Sequence, residues 1–277
     1  MILYSLIHLL LSNTNIYYLE SKQKDSILQN KVKLTNQLKS LTSEELYKSV
    51  TGEEISFNSS TKLQLNLSES TELNVLTTFG GTKTQLPDLR RIWINKLKDS
   101  EASSINEFLR HSTPNTLPIL ALNIEEGDLI KVSLIKDGLV NSVSKVTEQV
   151  RLDDMEFKPE EVEEIIKGSS QSKELLFVEC KLPTKKGMDL SCNNHYLTQF
   201  LSFDNCGDDS SVCMEWDKYP ERFEHFIEAI SKCTLKTSLK KINIDDCDIS
   251  KKTVEGLLKK YSLDNIQVVE QRDSVKD

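Results

Sequence analysis

Between Leu239 and Ile249 the apolar positions form a fixed figure: Leu239, Ile242, Ile244, Cys247 and Ile249, at offsets 0, +3, +5, +8 and +10. The alternation at +3 and +5 predicts a short strand with one face buried. The same ruler fits upstream at Thr198, Leu201, Phe203, Cys206 and Asp208, and at Ser172, Leu175, Phe177, Cys180 and Leu182. It fits again at Thr147, Val150, Leu152, Met155 and Phe157. Earlier units begin at Leu117 (Leu120, Leu122, Glu125) and Leu89 (Ile92, Ile94, Leu97), and the weakest is Ser60, Leu63, Leu65 and Ser68. Offset +8 therefore falls at 68, 97, 125, 155, 180, 206 and 247, in steps of 29, 28, 30, 25, 26 and 41.

Between the strands, apolar residues at helical spacing predict helices over 102–111 (Ile105, Phe108, Leu109), 159–167 (Val162, Ile165, Ile166) and 220–232 (Phe223, Phe226, Ile227, Ile230). Ser250 reads as the N-cap of a helix over 251–261, with Val254, Leu257, Leu258 and Tyr261 inward. Strand, helix, strand in such steps predicts right-handed βα coils. Helices are wider than strands, so stacked coils bend into an arc with a parallel sheet on the concave side and helices on the convex side. A last short strand over Ile266–Val269 is expected to close the C-terminal edge. Ile27, Leu34 and Leu41 are heptad-spaced and predict a capping helix within 20–50.

The recurring unit matches L-x-x-L-x-L-x-x-N/C-x-L, and three of the 6 cysteines (Cys180, Cys206, Cys247) occupy its small +8 position. A side chain there can hydrogen-bond buried backbone where the strand turns. The chain resembles the ribonuclease-inhibitor-like leucine-rich-repeat family over roughly residues 60–270. It departs from that pattern at Glu125, in the helix-poor stretch 184–196, and in the 41-residue step with its extra loop 207–219. The expected division is an N-terminal apolar segment with capping helix, 1–55, followed by an α/β leucine-rich-repeat solenoid, 56–277. The resemblance implies an interaction module rather than an enzyme, and the fold alone names no partner.

Offsets +2, +4 and +6 point away from the core, because strand side chains alternate. On that concave face the residues expected to meet a protein partner are Arg91, Trp93, Arg151, Leu176, Phe200 and Asn243. Trp216 and Tyr219, in an acidic inserted loop, form a second expected contact. The expected function is a protein-binding adaptor or scaffold. The alternative is a structural subunit of a large assembly, docked through the apolar N-terminus.

Composition narrows the partner. The net charge is −8, which argues against a nucleic-acid backbone. The 6 cysteines lack any C-x-x-C pair, which suits a reducing, intracellular compartment. Residues 1–11 are almost wholly apolar but too short to span a bilayer, and no Lys or Arg precedes Lys22 as the positive n-region of a signal peptide would require. Asn58 and Asn66 begin glycosylation triplets that arise readily in an Asn- and Ser-rich chain.

No nucleotide-binding or hydrolase motif is present, so no cofactor is expected. Cys192 and His195 have C-x-x-H spacing but no second ligand pair for zinc. They leave a thiol hydrolase as the one catalytic rival, decided by how fast Cys192 reacts with a thiol-directed probe. The inserted loop is acidic but lacks the calcium-loop pattern.

Overall fold

The computed structural model describes residues 90–97, 101–124, 129–206, 216 and 219–270, with side chains absent from the description at 95–97 and 124. The expected N-terminal segment and capping helix, the earliest repeat unit, Glu125 and most of the inserted loop lie outside these residues.

The described residues form an α/β structure around a seven-stranded parallel sheet. In chain order the elements are β1 (Arg91–Leu97), α1 (Ala102–Ser112), β2 (Leu117–Ile124), β3 (Ile130–Lys131), α2 (Lys136–Val143), β4 (Val146–Asp153) and β5 (Met155–Glu156). There follow α3 (Pro159–Gly168), β6 (Glu174–Val178), β7 (Phe200–Asp204), α4 (Pro220–Ser231), α5 (Leu235–Ser238), β8 (Lys241–Asn243), α6 (Lys251–Lys260) and β9 (Gln267–Val269). The sheet order is β1-β2-β4-β6-β7-β8-β9, so neighbours in space are neighbours in sequence. The two-residue strands β3 and β5 pair separately beside it.

The register follows the sequence offsets. The +2 positions Arg91, Ile119, Gln149, Glu174, Phe200 and Lys241 lie side by side and continue to Gln267. The +3 positions Ile92, Leu120, Val150, Leu175, Leu201 and Ile242 make the adjacent row, ending at Val268, and all are nearly inaccessible. Together with the +5 row (Ile94, Leu122, Leu152, Phe177, Phe203) they form the sheet's half of one continuous core. The helices supply the other half through Ile105, Phe108 and Leu109 of α1, Val162, Ile165 and Ile166 of α3, and Phe223, Phe226, Ile227 and Ile230 of α4. Phe203 is its hub, with the rings of Phe177, Trp216, Phe223 and Phe226 centred 5.3–5.9 Å away.

Helix ends follow local chemistry. Pro159 starts α3, whose Glu161 carboxylate accepts the Lys158 N–H at 2.8 Å. Ser250 caps α6 by accepting the Thr253 N–H at 3.2 Å. The last turn of α1 has no glycine cap; its Leu109 carbonyl accepts from the Thr113 hydroxyl at 2.7 Å, and α2 adds donors to the Leu109 and Arg110 carbonyls. Asn141 Nδ2 donates to the Leu109 and Arg110 carbonyls, and Ser142 Oγ donates to the Leu109 carbonyl. Helix α2 itself was not expected from the pattern. The stretch 184–196 has no helix, as the sequence indicates. It is pinned to α3 by Lys185 with Glu160 and Glu163 and by Asp189 with Lys167, and to α4 by Thr184, whose hydroxyl donates to the Arg222 carbonyl.

The corner after each strand also repeats. Asp154, Glu179, Asn205 and Asp246 adopt left-handed φ values of 56°, 52°, 50° and 46°. The next residue in each case is the +8 position: Met155, Cys180, Cys206 or Cys247. The three thiols make one repeated bond, each donating to the +5 carbonyl of the preceding unit: Leu152 (3.2 Å), Phe177 (3.4 Å) and Phe203 (3.2 Å). The small polar side chain thus satisfies a buried carbonyl at the turn. Burial, with the Cys180 thiol beside it, pushes the Cys206 thiol well up and keeps it protonated. These are structural cysteines.

Candidate binding face

The sheet's second face carries the +2, +4 and +6 side chains and is separate from the core. Ala121 shows the separation: it is 3% exposed yet belongs to no part of the core cluster. Arg91, Trp93, Ile119, Gln149, Arg151, Glu174, Leu176, Val178, Phe200 and Asp204 are half-buried, and Lys241 and Gln267 are exposed. Solvent therefore reaches part of this face on every strand from β1 to β9, while Ala121, Asp153, Ser202 and Asn243 on it are closed off.

Parallel pairing brings the expected contact residues onto it at fixed positions. At one end the Arg91 guanidinium lies over the Trp93 ring, 3.8 Å from its centroid. In the middle, Arg151 Nε donates to both carboxylate oxygens of Asp153 at 2.9 Å, and Asn123 Nδ2 donates to the same carboxylate at 3.2 Å. Leu176 follows on β6 and Phe200 on β7, with Glu174 accepting a bond from Gln149 at 2.8 Å. Asn243 is on this face but is only 5% exposed, and its Nδ2 donates to Ser202 Oγ at 3.0 Å. It is a fixed polar member of the sheet more than an open contact.

Trp216 requires a correction. Expected as a contact on the inserted loop, it is 1% exposed and packs edge-on to Phe203 and Phe223, with ring centroids 5.9 and 5.0 Å away. A large apolar ring gains more from this aromatic cluster than from a polar loop. Tyr219 remains half-buried, beside the Arg222 guanidinium at 4.6 Å. Cys192 donates to the Asn194 carbonyl at 2.9 Å. Among the described residues no group of three His, Cys, Asp or Glu side chains is placed to hold a metal ion. Among them, too, no helix is long and apolar enough to cross a membrane.

The strand ends carry a further feature, outside the expected contact residues. Asp153 on β4, Asp204 on β7 and Asp245 just after β8 share the +6 position, with Asp154, Glu179 and Asp246 in the next position at three of the corners. Burial pushes the Asp204 carboxyl above its ordinary range, and Asp245, Asp246 and Glu179 push the same way against the weaker pull of Arg151. Burial also raises Asp153, although Arg151 and Asn123 hold its ionised form. The sequence carries three aspartates at offset +6 (Asp153, Asp204 and Asp245), but only the register places them on nearby strands, with Val178 between the first two.

No family model, curated protein or solved structure matches the chain.

Proposed function

We propose that the chain is a leucine-rich-repeat solenoid of the ribonuclease-inhibitor-like kind, acting as a non-enzymatic adaptor or scaffold that holds a protein partner on the open face of its sheet. One observation carries the reading: the +2 to +4 rows keep one register through the seven strands described, in sequence order, with one face buried under helices and the other carrying partly exposed side chains on every strand, although Ala121, Asp153, Ser202 and Asn243 on it are buried. A repeated unit that buries its apolar stripe only against its neighbours presents such a broad, regular surface. The residue types on that surface support binding, since Trp, Arg and Phe offer large rigid contact area with polar handles. The corner thiols support the repeat assignment, because they fill the position where the family's pattern calls for Asn or Cys.

The test is site-specific photo-crosslinking in the native cell, with benzoylphenylalanine replacing Leu176 on the sheet face or Lys232 at the exposed end of α4. A discrete protein adduct is expected from position 176 and none from 232, and Trp93→Ala with Phe200→Ala should abolish it. Adducts only from position 232, or an adduct at 176 indifferent to the double substitution, would overturn the proposal.

A further inference from the structure

We propose that the open sheet face receives a cationic peptide segment of its partner, with an apolar side chain seated on Leu176, Val178 and Phe200 and a neighbouring Lys or Arg engaging Asp204 and Asp245. The inference rests on the binding reading above and specifies the partner's chemistry.

The apolar seat follows from register. Leu176 and Val178 are two residues apart on β6 and so share a face. Phe200 is on β7, two positions before Ser202, the partner of Leu176. Adjacent strands lie about 4.8 Å apart, so the three side chains form one patch two strands wide. Each is half-buried, leaving apolar surface for a partner to cover.

Charge complementarity selects the occupant. In register beside Val178 stand Asp153 on one side and Asp204 on the other. Beyond Asp204 comes the corner of β8 with Asp245 and Asp246, and Glu179 follows Val178 directly. Arg151, on the neighbouring +4 position of β4, is already bonded through Nε to both oxygens of Asp153. Asp204 has only a remote share in it and is crowded by Asp245, Asp246 and Glu179, an arrangement whose like-charge cost an incoming cation removes. The opposite ends of the same strands carry exposed Lys173, Lys240 and Lys241 with one acid, Glu174, and Phe200 stands between Glu174 and Lys241. A cationic segment is therefore drawn to the acidic ends and repelled from the others, which fixes its position along the strands. A nucleic-acid backbone would meet the wrong sign at the acidic ends. A divalent cation would need convergent oxygens, whereas these carboxylates are spread across successive strands.

The experiment is selection of a random displayed-peptide library on the immobilised full-length chain, followed by fluorescence anisotropy of the recovered peptides. The expected winners pair an aliphatic or aromatic residue with nearby Lys or Arg. Their affinity should fall about tenfold with Asp204→Asn plus Asp245→Asn. It should also fall as salt is raised to ~0.5 M, and with Leu176→Ala plus Phe200→Ala. Circular dichroism melting verifies that each variant folds. Winners without cationic bias that are still lost with Leu176→Ala plus Phe200→Ala would overturn the charge assignment and leave the binding face standing. Cationic winners indifferent to both pairs of substitutions, or no winners at all, would overturn both.

Discussion

Gly138→Ala should destabilise the fold although it replaces the poorest ordinary helix former with the best. Gly138 lies in α2 where that helix meets α1, and its N–H donates to the Asn106 side-chain oxygen at 2.7 Å. A methyl group there would sit well inside contact distance of the Asn106 backbone carbonyl oxygen, and 3.0 Å from both the carbonyl carbon and the side-chain oxygen. The obstacle is backbone within a helix, so the two helices must separate. Overpacking of this kind costs about 1–3 kcal/mol. Weakening the bond to Asn106 adds roughly 1 kcal/mol, and the alanine propensity gain returns about 1 kcal/mol. The net loss is about 2 kcal/mol, or roughly 4–8 °C in melting temperature for a chain of this size. Gly256 in α6 is the internal control, because an added methyl meets nothing within 4 Å. There the same substitution should gain about 1 kcal/mol. Thermal and urea unfolding followed by circular dichroism, on both variants of the full chain, reads the difference. If Gly138→Ala melts at or above the wild-type temperature while Gly256→Ala behaves as stated, the close approach of α1 and α2 is wrong.

Three further outcomes follow from the corners and strand ends. Asp204 has a folded-state pKa above its unfolded value, so the stability its protonated form contributes is complete below the unfolded pKa and lost as pH rises through the folded one. Asp204→Asn should therefore raise the melting temperature at neutral pH, with the advantage shrinking to nothing under acid conditions; a variant less stable at pH ~7 would refute the crowding of Asp204 by its neighbours. Glu179 holds a φ of 52° where the other corners described use Asp or Asn, so Glu179→Asn should stabilise by about 1 kcal/mol in urea melts, and a loss would contradict the left-handed corner. Cys206 is fully buried with its thiol on the Phe177 carbonyl, so Cys206→Leu should cost about 1–3 kcal/mol by overfilling the turn and orphaning that oxygen; an unchanged urea midpoint would show that the corner has slack.

The strand register was legible because two independent signals agreed. Apolar side chains at +3 and +5 must alternate to bury one face, and Cys180, Cys206 and Cys247 fixed the phase of that alternation at the turn. Helix α2 was hidden because its eight residues mix Gly138, Ser142 and the β-branched Val140 and Val143, and its place is set by bonds to the end of α1. Trp216 misled because a lone aromatic among acids has no periodicity, and only the proximity of Phe203 and Phe223 decides its side. Alternation told which face Asn243 is on but not how much of it stays open, which depends on its bond with Ser202. The acidic strand ends were visible residue by residue, and became a surface only when the sheet set them side by side.

Among the described residues each strand of the main sheet pairs only with the sheet strands before and after it in the chain, so no pairing there joins the sheet's two ends. In the proposed solenoid, cooperativity passes from unit to unit, and a defect weakens its own interfaces first. Amide exchange should accordingly be slowest around β4, β6 and β7 and quicken toward β9, so the acidic ends of the central strands are presented by the most rigid part of the sheet. A ligand gripping β6 through β8 would clamp three successive rungs at once and slow opening from the C-terminal side.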